Sequence, residues 1–372
     1  MYDVIIVGSG VMGMSIAREL SQNNLNVAVI DRDVAGKHAS YKAGGMLGAQ
    51  NEFTSYSPLY RLAREAQTRF EGLSESLKQE VGVDIEYKQT GLIKLAAQDS
   101  DNDFVEKQYH FLHQYNPSVE LLSSQNLSLA THGEVDTRGL SAALIPDDHQ
   151  INANKYTKAL LKSLNKRDIH RWYQTEALNI ESISNGYQVV TNRGCLTTEK
   201  VIVAGGAWSA DLIEEPSLKR QVTGVKGEVL LVENKSLKLD TTIFMTNGCY
   251  IVPKSKHRYL IGATSLNNDY SVGVSEAGKQ WLFHQACAKV PGLQDSKMIK
   301  HWSGIRPYTL NEQPIMDEIQ SGLFIITGHY RNGILLSPLI GELMSEWLVN
   351  DSRPEVLENF IYKRGELNEV CD

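Results

Sequence analysis

The chain has 372 residues, 42% hydrophobic and 22% charged, with a formal net charge of −7. That length suits two domains, and the balance is that of a soluble globular protein. It argues against nucleic acid or an anionic membrane as the main partner, and no run approaches the roughly 18 apolar residues of a membrane helix.

The start, MYDVIIVGSG, reads as a short strand and not as a signal peptide. Cys195, Cys249, Cys287 and Cys371 are dispersed, with no CxxC or zinc pattern. A reduced, cytoplasmic protein is therefore expected. Residues 2–31 then predict strand, glycine turn, helix and strand. VIIV has the apolar run of a buried parallel strand, and MGMSIARELSQ has helical spacing. One amphipathic helix is predicted near 56–80, and IEYKQTGLIKLA alternates as a hairpin would. From 151 to 208 come a helix (NKYTKALLKSL), a strand (IHRWYQ), and a strand running into a turn (TTEKVIVAGGAWS). VKGEVLLVE and CYIVPKSKHRYLIGATS predict antiparallel strands, and a helix is expected over 276–290. The last part, LFIITGHYRNGILLSPLIGELMSEWLV, reads as strand, glycine loop and long helix.

Nucleotide-type elements recur at the start, middle and end of the chain, with antiparallel blocks between them. The expected fold is α/β: a Rossmann-like domain from 1–82, 146–219 and 305–372, interleaved with an antiparallel-sheet α+β domain from 83–145 and 220–304.

VGSGVMG sets Gly8, Gly10 and Gly13 in GxGxxG, directly after a strand and opening a helix. The first glycine allows the tight turn, the second the approach of a pyrophosphate, and the third the packing of helix on sheet. The helix start offers free N–H groups and a positive dipole end. Asp31 closes the second strand, where an acid accepts from a ribose hydroxyl. The motif predicts a dinucleotide and does not separate NAD from FAD. Three later features favour FAD. An apolar strand ends in the small residues Ala204, Gly205 and Gly206, which resembles the second signature of the large two-domain flavoproteins. A glycine-rich segment, SYKAGGMLGA, follows the ribose acid. GHYRNGILLSP sets a loop before a helix whose N-terminus can face the anionic edge of a reduced flavin.

VGSGVMG, AGGMLGAQ, VIVAGGAWS, VKGE, CYIVP, IGAT, WSGIRP and GHYRNGILLSP occur in that order over nearly the whole chain. In this the chain resembles the D-amino-acid oxidase class of flavoproteins, and within it the bacterial glycine oxidases that serve thiazole synthesis in thiamine biosynthesis. The resemblance implies non-covalent FAD, a small amino acid and O2 as substrates, hand-off of the product to thiazole synthase, and a homotetramer. It places the substrate carboxylate at Arg306, seconded by Tyr250, with Arg331 and Met46 near substrate and flavin. Around the cofactor it implies Gly8, Gly10, Val11, Met12, Gly13, Asp31, Arg32, Ala39, Ser40, Gly44, Gly45, Met46, Ala177, Ala204 and Gly205. It adds His329, Tyr330, Arg331, Asn332, Gly333, Ile334 and Leu335 from the C-terminal loop. Arginine suits the carboxylate because its planar fork grips both oxygens and stays charged.

Two positions depart from the family pattern. Ser265 stands where Met is frequent, and Gly248 where a larger polar residue is common. Both enlarge the expected pocket and admit sarcosine or small D-amino acids. No residue is expected as an obligate acid or base, and the scattered histidines predict no metal. Other readings of the same residues are a sarcosine or D-amino-acid oxidase, a dehydrogenase of the same class, a non-enzymatic flavin-binding accessory protein, and an NAD-dependent dehydrogenase.

Overall fold

The computed structural model describes residues 1–136 and 138–363. The chain opens with β1 (Tyr2–Val7), α1 (Val11–Leu20) and β2 (Val27–Asp31), followed by the short α2 (Ala39–Lys42) and β3 (Met46–Leu47). The helix predicted over 56–80 is two, α3 (Pro58–Gln67) and α4 (Phe70–Val81). The Thr68 and Arg69 amides turn back to the carbonyls of Glu65 and Ala66, three residues away, and this tightening ends the first helix. Next come β4 (Leu92–Leu95), α5 (Asn102–Tyr115), β5 (Glu120–Leu122), α6 (Ser124–Ala130), β6 (Ala142–Ile145), β7 (His149–Gln150) and α7 (Ala153–Asn165).

Residues 85–96 are not a hairpin. Only Leu92–Leu95 is a strand, and it pairs with distant partners on both sides. The apparent alternation came from polar residues before it, whereas all four strand residues are buried.

The second half runs β8 (Ile169–Tyr173), β9 (Ala177–Ile183), β10 (Gly186–Thr191), β11 (Gly194–Val203), α8 (Pro216–Gln221), β12 (Val222–Glu233) and β13 (Thr242–Met245). It continues with β14 (Tyr250–Lys254), β15 (Arg258–Gly262), β16 (Leu266–Asn267), α9 (Glu276–Lys289), β17 (Lys297–Thr309), β18 (Ile315–Gln320), β19 (Leu323–Thr327) and α10 (Gly333–Asn350).

Two large sheets result. The first has the order β18-β19-β11-β1-β2-β8, with β10 and β9 added on β11. Its centre is parallel: β1 pairs with β11 and β2, and β11 with β19. Such strands are covered on both faces, which is why VIIV is buried at every residue. Each fully buried Val or Ile there contributes about 1.5–3 kcal/mol of transfer free energy. The second sheet has the order β16-β12-β15-β14-β13-β4-β6-β5, with β17 paired to β12. It is antiparallel apart from the β13–β4 pair. No helix among the described residues is long and apolar enough to cross a membrane.

Candidate functional site

A cavity of about 450 Å³ opens at the C-terminal ends of β1, β2 and β11 and reaches across to β14 and β17 of the second sheet. Its first end is made mostly of backbone. Gly8 has φ +113°, and a Cβ there would lie 2.3 Å from the Ala204 carbonyl oxygen. A Cβ on Gly13 would lie 1.9 Å from the Gly8 oxygen, so this glycine seats α1 against the turn and does not line the cavity. Gly10 is the N-cap of α1 but has no side chain to cap with. Ser40 Oγ supplies the missing acceptor, taking the Val11 N–H at 3.0 Å. Asp31 accepts from the Ser9 amide (2.7 Å) and hydroxyl (2.6 Å), and from the Asp33 amide at 2.9 Å. Of roughly four acceptor positions on a carboxylate, that leaves one, and Asp31 lines the cavity. The Arg32 guanidinium lies 4.2 Å over the Trp208 ring, and both groups line the same end.

The wall opposite the glycine turn is the loop before α10. Gly328 turns with φ +76°, beside Thr309. The Tyr330 amide donates to Pro307 O at 2.8 Å, which pins the loop to β17. His329 is buried, its Nε2 has no hydrogen-bond partner, and burial pushes its imidazole down to about 3. It is therefore neutral at any ordinary pH. Asn332, Gly333 and Ile334 line the cavity at the start of α10, and no side chain caps that helix. Pro338 lies inside the helix and cannot donate to Ile334 O; the Ser337 hydroxyl donates to that carbonyl instead, at 2.9 Å. Ser337 Oγ is also 2.9 Å from Tyr156 Oη of α7.

The far end is made of side chains. Arg306 of β17 stands across from Val225 of β12, and its guanidinium lies over Gly227, where a Cβ would be 2.3 Å from Nη2. Arg306 Nη1 donates to Thr264 O at 3.3 Å. Among the described residues no carboxylate lies within ion-pair distance of Arg306. Tyr250 is built in the same way. Its ring covers Gly262, where a Cβ would lie 2.5 Å from Cζ, and it stacks on Phe244 at 5.8 Å. Burial pushes the Tyr250 phenol up, against the opposing effect of Arg306, so the hydroxyl keeps its proton.

Arg331 differs from Arg306 because it is already paired, with Glu52 at 3.1 Å. The Glu52 charge holds the Arg331 guanidinium still further above its ordinary value. The Tyr330 ring lies near both arginines, with guanidinium carbons 5.9 Å (Arg306) and 5.1 Å (Arg331) from its centroid. The loop carrying Glu52 hangs on Asp148, which accepts from the Gln50 and Asn51 amides and from Gln67 Nε2. Full burial pushes that carboxyl up to about 6.

The residues expected from the sequence thus converge on one cavity, with two exceptions. Gly13 packs behind the turn, and Leu335 is buried in the core between α10 and its neighbours. Leu335 follows the lining residues in sequence, but the helix turn carries its side chain inward. Met46, Gly248 and Ala177 line the cavity, whereas Ser265 does not; its Oγ sits 3.4 Å from Tyr330 Oη. Glu52, Phe244 and Lys42 line it too and carry no local signal in the sequence. Trp208 does, as part of AGGAWS.

The glycine cradle, the open acceptor on Asp31 and the uncapped start of α10 fit a dinucleotide that carries a redox ring. A family model described as FAD dependent oxidoreductase matches residues 3–347, and the chain belongs to that family. FAD is its cofactor. Within the family its likeness is to the glycine oxidases. The glycine oxidase of Geobacillus kaustophilus (strain HTA426) is 39% identical over 348 residues, which cover 93% of this chain and 92% of that one. The crystal structure of glycine oxidase from Geobacillus kaustophilus matches with a TM-score of 0.92 and 37% identity, over 98% of each chain. The bifunctional protein ThiO/ThiG of Trichormus variabilis (strain ATCC 29413 / PCC 7937) is 28% identical over 392 aligned residues, covering 97% of this chain and 55% of that protein.

Proposed function

We propose that this FAD-dependent amine oxidase converts glycine, O2 and water to glyoxylate, ammonia and hydrogen peroxide. The observation that carries the reading is the guanidinium of Arg306, which faces the cavity with a carbonyl but no carboxylate for company. A half-buried arginine without a counter-ion leaves guanidinium donors unmatched beside the cavity, and a carboxylate matches its fork. The protonated Tyr250 hydroxyl beside it donates to the same group. Arg331, neutralised by Glu52, shapes the wall and leaves the carboxylate to Arg306.

FAD, when bound, supplies the two-electron acceptor for the hydride that leaves the substrate Cα, and O2 then takes the electrons. The protein's part is to hold Cα at a fixed distance and angle and to keep water out. No side chain need move a proton if the amine enters neutral. The neutral His329 and the protonated Tyr250 fit that economy.

A roomier substrate, sarcosine or a small D-amino acid, is the second reading. It is favoured by Gly248, where a Cβ would meet nothing nearer than Arg331 Nη2 at 3.9 Å. Non-covalent FAD is supported by the cysteines: Cys195, Cys249 and Cys287 do not line the cavity, and Cys371 lies outside the described residues. The same reading extends to a homotetramer in the cytoplasm. It includes a cofactor domain (1–82, 146–219, 305–372) and a substrate domain (83–145, 220–304), a division that follows the two sheets except at residues 305–309, which belong to β17 of the second sheet. Hand-off of the product to thiazole synthase is supported by the likeness to the bifunctional ThiO/ThiG protein.

The test is the visible spectrum without air. Flavin bands that bleach on adding glycine, and return with air, are expected. A yellow protein that neither glycine, sarcosine nor D-alanine bleaches overturns the reading.

A further inference from the structure

A second cavity, about 280 Å³, opens off the substrate end. The two spaces share Asn51, Glu52, Phe244, Gly248 and Arg331 as common wall. Gly248 leaves that wall without a side chain, and its φ of +84° keeps it a glycine position.

Into the second cavity points Lys94. It sits on β4 between Ile93 and Leu95 and is only 6% exposed. The other buried lysine of this sheet, Lys226, bonds Ser271 Oγ at 2.8 Å and lies near Glu228 and Asp269. Lys254, at the end of β14, donates to Gln150 Oε1 and Ile151 O. Lys94 has no such partner among the described residues; its ammonium lies 4.5 Å over the Phe244 ring and 5.7 Å from that of Phe104. Packing alone would be served by another Leu or Ile at this position. A desolvated ammonium facing a cavity with only ring faces beside it is a cation set out for a ligand.

Charge tells which ligand. Arg331 and Glu52 cancel each other at 3.1 Å, so the chamber retains one positive charge, that of Lys94. Burial pushes its pKa down to about 8, which leaves it charged at neutral pH.

The geometry points to a subsite for a second carboxylate: a dicarboxylic amine binds with its α-carboxylate on Arg306 and its other carboxylate on Lys94, passing the gap at Gly248. This rests on the reading of Arg306 as the α-carboxylate site. The substrate class is then small amino acids with an acidic side chain or an acidic N-substituent, such as D-aspartate or iminodiacetate, alongside glycine.

Binding separates this proposal from the proposed reaction. Diglycolate, the ether counterpart of iminodiacetate, has no amine to oxidise; ethoxyacetate keeps one of its carboxylates. Both are titrated into the FAD-loaded protein and followed by the flavin difference spectrum. Diglycolate is expected to bind about tenfold more tightly than ethoxyacetate, the size of one charge-assisted bond. In Lys94→Met that preference disappears, and the glycine KM moves by less than about twofold. With iminodiacetate as substrate, kcat/KM falls in the same variant by about tenfold. Equal binding of the two ethers by the unaltered protein overturns the subsite even if Lys94→Met fails to fold. So does a preference that survives Lys94→Met. If no amine is oxidised while diglycolate is preferred, the subsite stands and the proposed reaction falls.

Discussion

The two ends of the cavity are built by opposite means. At the end proposed for the cofactor the wall is mostly backbone: Gly8 and Gly10 clear the space, and Ser40 and Asp31 tie the turn. At the end proposed for the substrate the wall is made of side chains, and each lies over a glycine of a neighbouring strand, Arg306 over Gly227 and Tyr250 over Gly262. A backbone site tolerates no added atom. A side-chain site depends on one charge and on the room its neighbours leave.

The largest effect that probes this contrast is at the cofactor end. Gly8→Ala puts a methyl on the Ala204 carbonyl with φ in the left-handed half of the map. The variant is expected to purify colourless, measured by flavin absorbance per protein. Full retention of FAD would break the account of a backbone-built end.

Arg306→Ala comes next and should act on the other end alone. Breaking a buried pair from one side costs about 3–5 kcal/mol, or roughly 10²–10³·⁵ in affinity. Steady-state kinetics should show this as a raised KM for the amino acid, with the flavin content unchanged. An unaltered KM removes Arg306 from the carboxylate.

Gly227→Ala sharpens the same point without touching a charge. Its methyl would meet the Arg306 guanidinium at 2.3 Å. Displacing the fork by overpacking, at about 1–2 kcal/mol, should raise KM by about tenfold. A KM like that of the unaltered protein would mean the guanidinium moves aside freely.

The smallest effect concerns the loop that carries Glu52. Asp148 titrates near 6 in the folded protein, above the ordinary aspartate value. A raised acid binds its proton more tightly when folded. Its contribution to stability is therefore full below about pH 4 and is lost as pH rises through about 6. The Tm of the protein relative to Asp148→Asn should fall by a few degrees between pH 4 and 7 and then level off. A difference that does not vary with pH would place Asp148 outside the titration.

How much of this was legible in the sequence follows the same contrast. VGSGVMG is contiguous, and each glycine answers a demand made within a few residues. WSGIRP and CYIVP point to Arg306 and Tyr250 through resemblance, but nothing in them shows that Gly227 and Gly262 make room for those side chains, because the pairing is across strands. Glu52 meets Arg331 from 279 positions away, a distance no local pattern spans. Lys94 in GLIKLA read as the polar beat of a hairpin. It is buried because the rings of Phe104 on α5 and Phe244 on β13 lie against its side chain. Leu335 was expected at the cofactor by its place in the motif, and the turn of α10 sets it in the core.

The start of α10 has a further consequence. Pro338 would have left a slack first turn, yet Ser337 bridges Ile334 O to Tyr156 of the fully buried α7 face. The dipole end that faces the cavity is thus braced from behind. On the proposed reaction, negative charge on a bound flavin would meet N–H groups that are already aimed, and little structure would have to relax, because of a hydroxyl that lies behind the helix end.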